Sequence, residues 1–406
     1  MSTVSRPVRA GTILAALDIG SSKIGCLIVE LGASPNSPYC LANARVLGVG
    51  YQRSMGLKGG IVLDPRAVEQ SIRGAVDKAE RQAGRSIDEL YVSMNTGRIR
   101  SQNYGVMLEL AGAKVKTSHV NKLLRKGWDH VAHSPQAILH ARTTGFAIDG
   151  DIGIKNPEGF SGQNLFADFH VVSADLQPVR QLLSCVEDSY LSPVSVVAAP
   201  YASALATMRA REAKEGVAVI DLGGGTSSLA VFAGGEFIFA NSIAKGGIAI
   251  SAALSRRFGM SWRDAERLKL HISKKSEHRQ DYPKGAELIK RQLIGIFLHQ
   301  KKKMMQAGFA FDAARVIVLT GGGALYHDAP RLAAEVFGKP VRVGVPEAVS
   351  GMPPQLVNPA FSALWGIIAS QNIAHEELAT RFAGPLGQRS AGSLARFGNW
   401  LSHLAD

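Results

Sequence analysis

The chain has 406 residues, 46 Lys+Arg against 33 Asp+Glu, a formal net charge of +13 and 46% apolar residues. Such a length and composition imply more than one packed core and exclude a disordered or fibrous polymer. Its 3 cysteines (Cys26, Cys40, Cys185) are too few and too scattered for a disulfide framework or a metal cluster, and no apolar run reaches the roughly 20 residues that span a bilayer, so a protein of the reducing cytosol is expected rather than a secreted or transmembrane one.

In chain order, residues 1–11 read as a tail. An apolar strand, Thr12–Leu17, then runs into Asp18, Ile19, Gly20, Ser21, Ser22 and Lys23 and returns through Ile24–Leu31, which predicts a β-hairpin. Arg45–Tyr51 is a further strand. Asp64 followed by Pro65 is a helix-start signature, and Val68, Ile72, Ala75, Val76 and Ala79 follow at helical spacing as far as Gly84. Leu90–Met94 and Tyr104–Leu110 read as strands, Ser118–Val131 as a helix, Leu165–Ala174 as a strand and Leu176–Asp188 as a helix.

The second half opens as the first does. Gly216–Leu222 is an apolar strand carrying Asp221, followed by Gly223, Gly224, Gly225, Thr226, Ser227 and Ser228, with Leu229–Phe232 returning. A strand, an Asp, a Gly/Ser/Thr turn and another strand therefore occur once in each half, the mark of an internal duplication. Ser251 to about Gln306 is helical and basic, and Val316–Thr320 is a strand ending in Gly321, Gly322 and Gly323. After Ala379 the composition shifts to Gly, Pro, Ser and Gln, a flexible linker, and Ser393–Ala405 closes the chain as a helix.

Turns of Gly, Ser and Thr after a strand offer backbone N–H groups and hydroxyls to phosphate oxygens without bulk to block approach. Asp18 and Asp221 stand where a carboxylate can hold Mg²⁺ directly or through its waters, and Lys23 could neutralise a phosphate. Each turn alone reads equally as an ordinary hairpin. The pair, one per half, fits a nucleotide clamped between two lobes. No GxxxxGK[ST] run occurs, and the glycine turns lead into strands rather than into GxGxxG helices, so neither common phosphate-binding fingerprint applies. The histidines show no metal-ligand spacing.

This arrangement resembles the actin, heat-shock-chaperone and sugar-kinase ATPase superfamily, with Asp18–Lys23 and Asp221–Ser227 as phosphate turns, Thr320–Leu325 as the adenosine turn and Val194–Leu205 as the helix linking the lobes. Within it the chain resembles the FtsA family of bacterial cell-division proteins. Ser54, Met55 and Gly56 through Gly59, Gly60 and Ile61 carry that resemblance, as do Ala79-Glu80, Phe146–Asp149, Gly153–Pro157 with Gly159–Gly162, Asp221–Thr226, Lys245–Gly247 and Asp264–Lys269. The match runs from about residue 12 to 370 and again over the final helix.

The resemblance implies an α/β, two-lobed actin-like (ribonuclease H-like) fold that binds ATP and Mg²⁺. Nucleotide contacts would come from Asp18, Gly20, Ser21, Ser22, Lys23, Asp221, Gly223, Gly224, Gly225, Thr226, Ser227, Gly246, Gly247, Gly321, Gly322, Gly323 and Leu325, with Asp18 and Asp221 as metal ligands. Glu266 would hold the ribose and Lys269 would lie over the base or sugar; the plain alternative is an i,i+3 surface ion pair. Two departures bear on turnover. Ser228 replaces a second Asp, and Ala199 replaces the Glu or Gln that orients water, removing a general-base contribution of roughly 10²–10⁴. Binding is therefore expected ahead of hydrolysis, and no catalytic residue is nominated.

In the final helix Leu394, Phe397, Trp400, Leu401 and Leu404 fall within an arc of about 120°. A core helix could show the same stripe, but the linker before it and its Trp and Phe favour an interfacial membrane anchor. Burying five such side chains gives on the order of 7–15 kcal/mol, which ordering the helix largely offsets, so single helices would bind weakly and arrays strongly. Between Ser255 and Lys303 lie 14 Lys and Arg against 5 Asp and Glu. No zinc-finger, aromatic or helix-turn-helix pattern accompanies them, so nucleic acid is not the expected partner. By the resemblance this segment takes the C-terminal peptide of FtsZ, with Arg256, Arg257, Lys302 and Lys303 as the expected face, and a basic surface suits an acidic peptide.

The same resemblance divides the chain into lobe one (12–87 and 173–212), an inserted self-association subdomain (88–172), lobe two (213–243 and 307–375), a basic subdomain (244–306), a linker (376–392) and the anchor helix (393–406). It implies a filament-forming protein peripheral to the cytoplasmic face of the inner membrane at the division septum, tethering FtsZ and recruiting later divisome proteins. A sugar or metabolite kinase and a pilus-assembly adaptor of the same fold are the alternatives.

Overall fold

The duplication predicted from the two Asp-bearing hairpins is visible as strand order. The computed structural model describes residues 11–32, 44–96, 98–274, 280 and 282–371. In it β1 (Thr12–Ile19), β2 (Lys23–Leu31) and β3 (Ala44–Arg53) form an antiparallel meander. A small hairpin follows, β4 (Leu57–Lys58) with β5 (Ile61–Val62). Then β6 (Glu89–Met94) and, much later, β11 (Ser192–Ala198) add in parallel beyond β1, giving the five-stranded order β11-β6-β1-β2-β3. In the second half β12 (Val217–Leu222), β13 (Ser227–Ala233) and β14 (Glu236–Ile243) repeat the meander, and β15 (Val316–Thr320) and β16 (Val341–Val343) repeat the parallel addition. The order β16-β15-β12-β13-β14 is thus the first sheet's topology again.

Both sheets are covered on two faces, which is why their strands read as apolar runs rather than alternating ones: Ile24 through Val29 on β2 are all buried. Helix α1 (Pro65–Ala83) covers β3 and has the predicted cap, the Asp64 carboxylate accepting from Ala67 N at 3.2 Å. It ends at Gly84, whose left-handed φ of 66° and bond to the Glu80 carbonyl close the last turn. Between the lobes α4 (Ala199–Thr207), after α2 (Thr117–Ala132) and α3 (Leu176–Glu187), is buried throughout, as is the last described helix (Ser362–Ser370). These two pack backbone to backbone: a Cβ on Gly366 would lie 1.7 Å from the Ala202 carbonyl oxygen.

The structure corrects two expectations. Val194–Leu205 is not one helix; β11 continues to Ala198, and α4 begins at Ala199 with Pro200 in its first turn. The β-branched Val194, Val196 and Val197 favour the strand, and a proline lacking its N–H is harmless at a helix start. The inserted subdomain does not begin at Asp88, because β6 belongs to the first sheet. The separate unit is Ser101–Ser173, and the remaining described residues form the other.

Taken by itself, that smaller unit packs α2 on the strands β7 (Arg100–Glu109), β10 (Asn164–Ala174), β8 (Ala137–Ile148) and β9 (Asp151–Ile154), in that order. Phe169 is its fully buried centre, stacked on Tyr104 at 5.3 Å and met edge-on by Trp128 at 5.2 Å. Asp149, at φ 50°, ties the start of β10 to its own turn by accepting from Gln163 N at 2.7 Å and Asn164 N at 2.8 Å. The linker and anchor segments, 376–392 and 393–406, lie outside the described residues, and with them Leu394, Phe397, Trp400, Leu401 and Leu404. Among the described residues no helix is long and apolar enough to cross a membrane.

The Gly366–Ala202 crossing gives a direct test. Gly366→Ala forces the two helices apart and should destabilise the larger unit by about 3 kcal/mol. The measurement is a lowered urea midpoint at unchanged secondary-structure content of the native state.

Candidate functional site

Asp18 and Asp221 each stand one residue before the end of their strand, in register with Gly25 and Ser228 on the returning strands. Their parallel neighbours match as well, Ser93 on β6 beside Asp18 and Thr320 on β15 beside Asp221. Beyond each Asp the chain turns through residues without bulk, and the two turns face each other. A Cβ on Gly225 would lie 2.3 Å from the Ser21 hydroxyl, and one on Gly224 would lie 2.8 Å from Ser22 Cβ. The backbone N–H groups of Ser21, Ser22, Gly224 and Gly225 donate to no acceptor among the described residues. Four unengaged N–H donors on opposed turns form a cradle for an anion.

The second turn also carries the helices that follow it. Gly247 N donates to the Gly223 carbonyl at 3.0 Å and Ile248 N to that of Gly224 at 2.8 Å, which seats the start of α6 (Gly247–Phe258), with α5 (Ala210–Glu215) ahead of it in the chain. A Cβ on Gly246 would meet the Gly223 carbonyl oxygen at 2.4 Å, so this approach requires glycine. On α7 (Trp262–Lys274), Lys269 donates to the Gly247 carbonyl at 3.1 Å and pairs with Glu266 at 2.8 Å, and Glu266 accepts from Ser251 at 2.5 Å. Glu266 and Lys269 thus form the i,i+3 pair, but partly buried against the Gly246-Gly247 turn rather than on open surface. The third expected element sits at the root of the same turn. Gly321, at φ 80°, would place a Cβ 2.2 Å from Asp221 Oδ1, Gly323 would place one 2.7 Å from Leu222 Cβ, and Gly322–Leu325 is a single 3-10 turn with Leu325 half exposed.

Burial dominates the electrostatics. It raises Asp18 above the ordinary carboxylate range, against the opposing Ser93 hydrogen bond and the charge of Lys23. Asp221 is pushed up to about 6, again by burial, with the Ser203 hydroxyl at 2.5 Å opposing, Asp18 adding to the rise and Lys23 opposing it. Lys23 is brought down to about 8 by burial, which both carboxylates resist. Its ammonium donates to the Ala360 carbonyl and lies 3.5 Å from the centre of the Phe361 ring. Two carboxylates kept from their preferred charge, beside free N–H donors, fit a hard cation bound together with phosphate oxygens. Among the described residues no group of three metal-ligating acidic, His or Cys side chains gathers, so the rest of such a cation's shell would come from water and ligand.

Not every expected residue faces the cradle. Ser227 is fully buried, its hydroxyl spent on the Lys245 carbonyl at 2.7 Å. Ser228 is buried with no partner for its hydroxyl, and Ala199 is the buried first residue of α4. Conversely, Ser93, Ser203, Ala360 and Phe361 reach the Asp18–Lys23–Asp221 group without having been singled out in the sequence. Ser93 could have been found as the polar residue at the end of an apolar strand; the others carry no local signal.

The expected partner face is divided. Arg256 and Arg257 end α6, whereas Lys302 and Lys303 lie near the end of α8 (Pro283–Gln306). Arg257 lines a groove with Lys284, Glu287, Leu288 and Arg291 at the start of α8, and Lys302 lines another with Leu298, Lys301, Met305 and Gln306. At about 1.5 Å per residue the two grooves are roughly 20 Å apart along the helix. Burial, then the ammonium groups of Lys303, Lys245 and Lys302, hold His299 below the usual imidazole range, so the second groove lies in a strongly positive field.

A family model described as "Cell division protein FtsA" matches residues 218–366, and one described as "SHS2 domain inserted in FTSA" matches residues 96–173. The chain is 32% identical to the cell division protein FtsA of Rhizobium meliloti, over 97% of this chain and 95% of that one. It is 33% identical to that of Agrobacterium fabrum (96% and 94%) and 26% identical to that of Escherichia coli K12 (96% and 97%). Among solved structures, the PilM-PilN type IV pilus biogenesis complex matches with a TM-score of 0.63 at 17% identity, over 89% of this chain and 99% of that one. This last likeness speaks for the fold alone.

The raised Asp221 carboxyl has a consequence for stability. Its folded value, about 6, lies above the unfolded value near 3.8, so the folded chain binds more protons between those limits. Stability therefore falls as pH rises from about 4 to about 6. Asp221→Asn should remove that share of the slope and raise the melting temperature of the ligand-free protein at pH 7.5, by an amount equivalent to on the order of 1–3 kcal/mol. Melting curves of both proteins between pH 4.5 and 7.5 check this.

Proposed function

Because the chain belongs to the FtsA family of bacterial cell-division proteins, we propose that it binds ATP with Mg²⁺ between its two actin-like lobes. In this role it assembles into filaments and tethers FtsZ filaments to the cytoplasmic membrane, where later division proteins are recruited. The observation that carries the nucleotide assignment is the meeting of two Gly/Ser turns over the Asp18–Lys23–Asp221 group. Mg²⁺, when bound, supplies positive charge to the phosphates, and Asp18 and Asp221 are the residues that would hold it. The turns would orient the phosphates through the N–H groups of Ser21, Ser22, Gly224 and Gly225, and Lys23 would add a donor. Glu266 and Lys269, at the Gly246-Gly247 turn, would bound the ribose, with Gly321–Gly323 and Leu325 beneath the base.

Binding is favoured over turnover. Hydrolysis needs a group that positions water opposite the leaving phosphate, and Ala199 and buried Ser228 have nothing to offer there. The helical subdomain, residues 244–306, offers two basic grooves to an acidic FtsZ tail, and the unit at Ser101–Ser173 is the proposed self-association element. The amphipathic stripe of the final helix would join the membrane as one weak contact repeated along a filament. Neither the sugar-kinase nor the pilus-adaptor alternative draws support beyond a shared fold.

Two measurements test this. Mg²⁺ and ATP together should raise the melting temperature, and Asp221→Asn should lose the Mg²⁺-dependent part of the rise; an unshifted melt of the parent chain would sink the nucleotide assignment. Removing residues 393–406 should abolish co-sedimentation with anionic vesicles while leaving ATP binding intact. Undiminished vesicle binding by the truncated chain would refute the anchor.

A further inference from the structure

The cradle has a third wall that the duplicated turns do not supply. Between β3 and α1 the chain makes the β4–β5 hairpin, whose two-residue tip is Gly59-Gly60, at φ 59° and 82°. Positive φ at both positions is the turn that suits a tight hairpin. The tip reaches the second phosphate turn: Gly59 N would lie 3.1 Å from a Cβ on Gly225, and a Cβ on Gly59 would lie 3.5 Å from Ala244 Cβ. Gly60 N donates to the Ser21 hydroxyl at 3.1 Å, tying the tip to the first turn as well.

Asn95, just past the end of β6, underlies this contact. A Cβ on Gly60 would meet its carbonyl oxygen at 2.4 Å, and its side-chain amide donates to Thr226 Oγ1 at 2.9 Å. That bond occupies an acceptor site on Thr226 and leaves the hydroxyl proton free to donate. The Gly59 N–H donates to no described acceptor, and the exposed Lys58 has no ion-pair partner among the described residues. Here a backbone N–H and a hydroxyl add to the donors of the two turns, and the exposed Lys58, one residue before the tip, carries an ammonium on a flexible stem.

Position along the second turn says which part of a ligand would lie here. The element assigned to the base touches its root, Gly321 meeting Asp221 and Gly323 meeting Leu222, and the ribose element comes next, Gly246 meeting Gly223 and Gly224. The hairpin tip touches Gly225, further along the turn. A nucleotide entering with its base at the root presents its outermost phosphate to the tip.

We propose that Gly59, with Lys58 beside it, binds the terminal phosphate of a nucleoside triphosphate, while Gly60 ties the tip to Ser21 and Asn95 is a positioning residue that orients the Thr226 hydroxyl toward that phosphate. The tip would thereby let the cleft distinguish a triphosphate from a diphosphate. The assignment rests on the nucleotide role proposed above and extends it to residues outside the duplicated turns.

The test is equilibrium titration of the full chain with Mg²⁺ and ATP, and separately with Mg²⁺ and ADP. Lys58→Ala should weaken ATP binding about tenfold, as expected for one lost charge-assisted contact, and change ADP binding less than twofold. Lys58→Arg should restore most of the ATP preference. Asn95→Asp, equal in size but repelling phosphate, should lower ATP affinity more than ADP affinity. Ligand-free melting curves show whether each variant is folded; Lys58 is exposed and unpaired, so its variants keep the test open should Asn95→Asp unfold. Parental ATP and ADP affinities in folded Lys58→Ala, or equal losses for both nucleotides, overturn the third wall. A parent chain that binds neither nucleotide overturns the nucleotide assignment and this extension together. A parent that binds ATP beside unaffected variants overturns the extension alone.

Discussion

The close approach of Ser21-Ser22 to Gly224-Gly225 is the constraint on which the rest of the site depends. With a side chain at either glycine the turns could not meet, since the space it needs is already held by Ser21 and Ser22. Their meeting places Asp18, Asp221 and Lys23 within one electrostatic group, leaves N–H donors on both sides unengaged, and brings the Gly59-Gly60 tip within reach of the second turn. The cost is a buried pair of carboxylates whose ionisation burial opposes.

The two lobes share a topology but not a task. In lobe one the turn presents side chains, with Lys23 anchored on Ala360 and Phe361 and Ser21 receiving the hairpin tip. Lobe two's turn presents backbone instead. Its carbonyls at Gly223 and Gly224 hold the start of α6, so a shift of that turn moves the helix directly. Fully buried Gln300 on α8 strengthens the link by donating to the Ser227 carbonyl at 3.0 Å, one residue past the turn. The helices that carry the basic grooves are therefore fastened to the Gly223–Thr226 turn by hydrogen bonds and not only by apolar packing.

Much of this was legible in the sequence because it is local. An apolar run, an Asp and a Gly/Ser/Thr turn announce a hairpin, and its recurrence announces the duplicated sheet. Glycines at 224, 225 and 246 were legible as close-approach positions for a ligand, although the structure shows them equally needed for chain-to-chain contact. What escaped depends on tertiary pairing. Ser203 and Phe361 join the group through helix and loop packing that leaves no periodic trace. The β6 strand looked like the start of the insert because an apolar run of that length fits either sheet. Arg256-Arg257 and Lys302-Lys303 looked like one face because sequence counts charge without the length of helix between them.

The bond from Lys23 to the Ala360 carbonyl spans 337 residues of chain. Contacts so distant in sequence close late, because the loop entropy must be overcome before the contact contributes anything. During synthesis the first Gly/Ser turn emerges long before Phe361 exists, and until then the Lys23 ammonium lacks both its carbonyl and its aromatic neighbour. A ribosome-bound chain is thus left with an unfinished cleft until nearly all of the globular body has been made. The Asp18–Lys23–Asp221 group therefore gains its full set of neighbours only after the Ala360-Phe361 segment has been made.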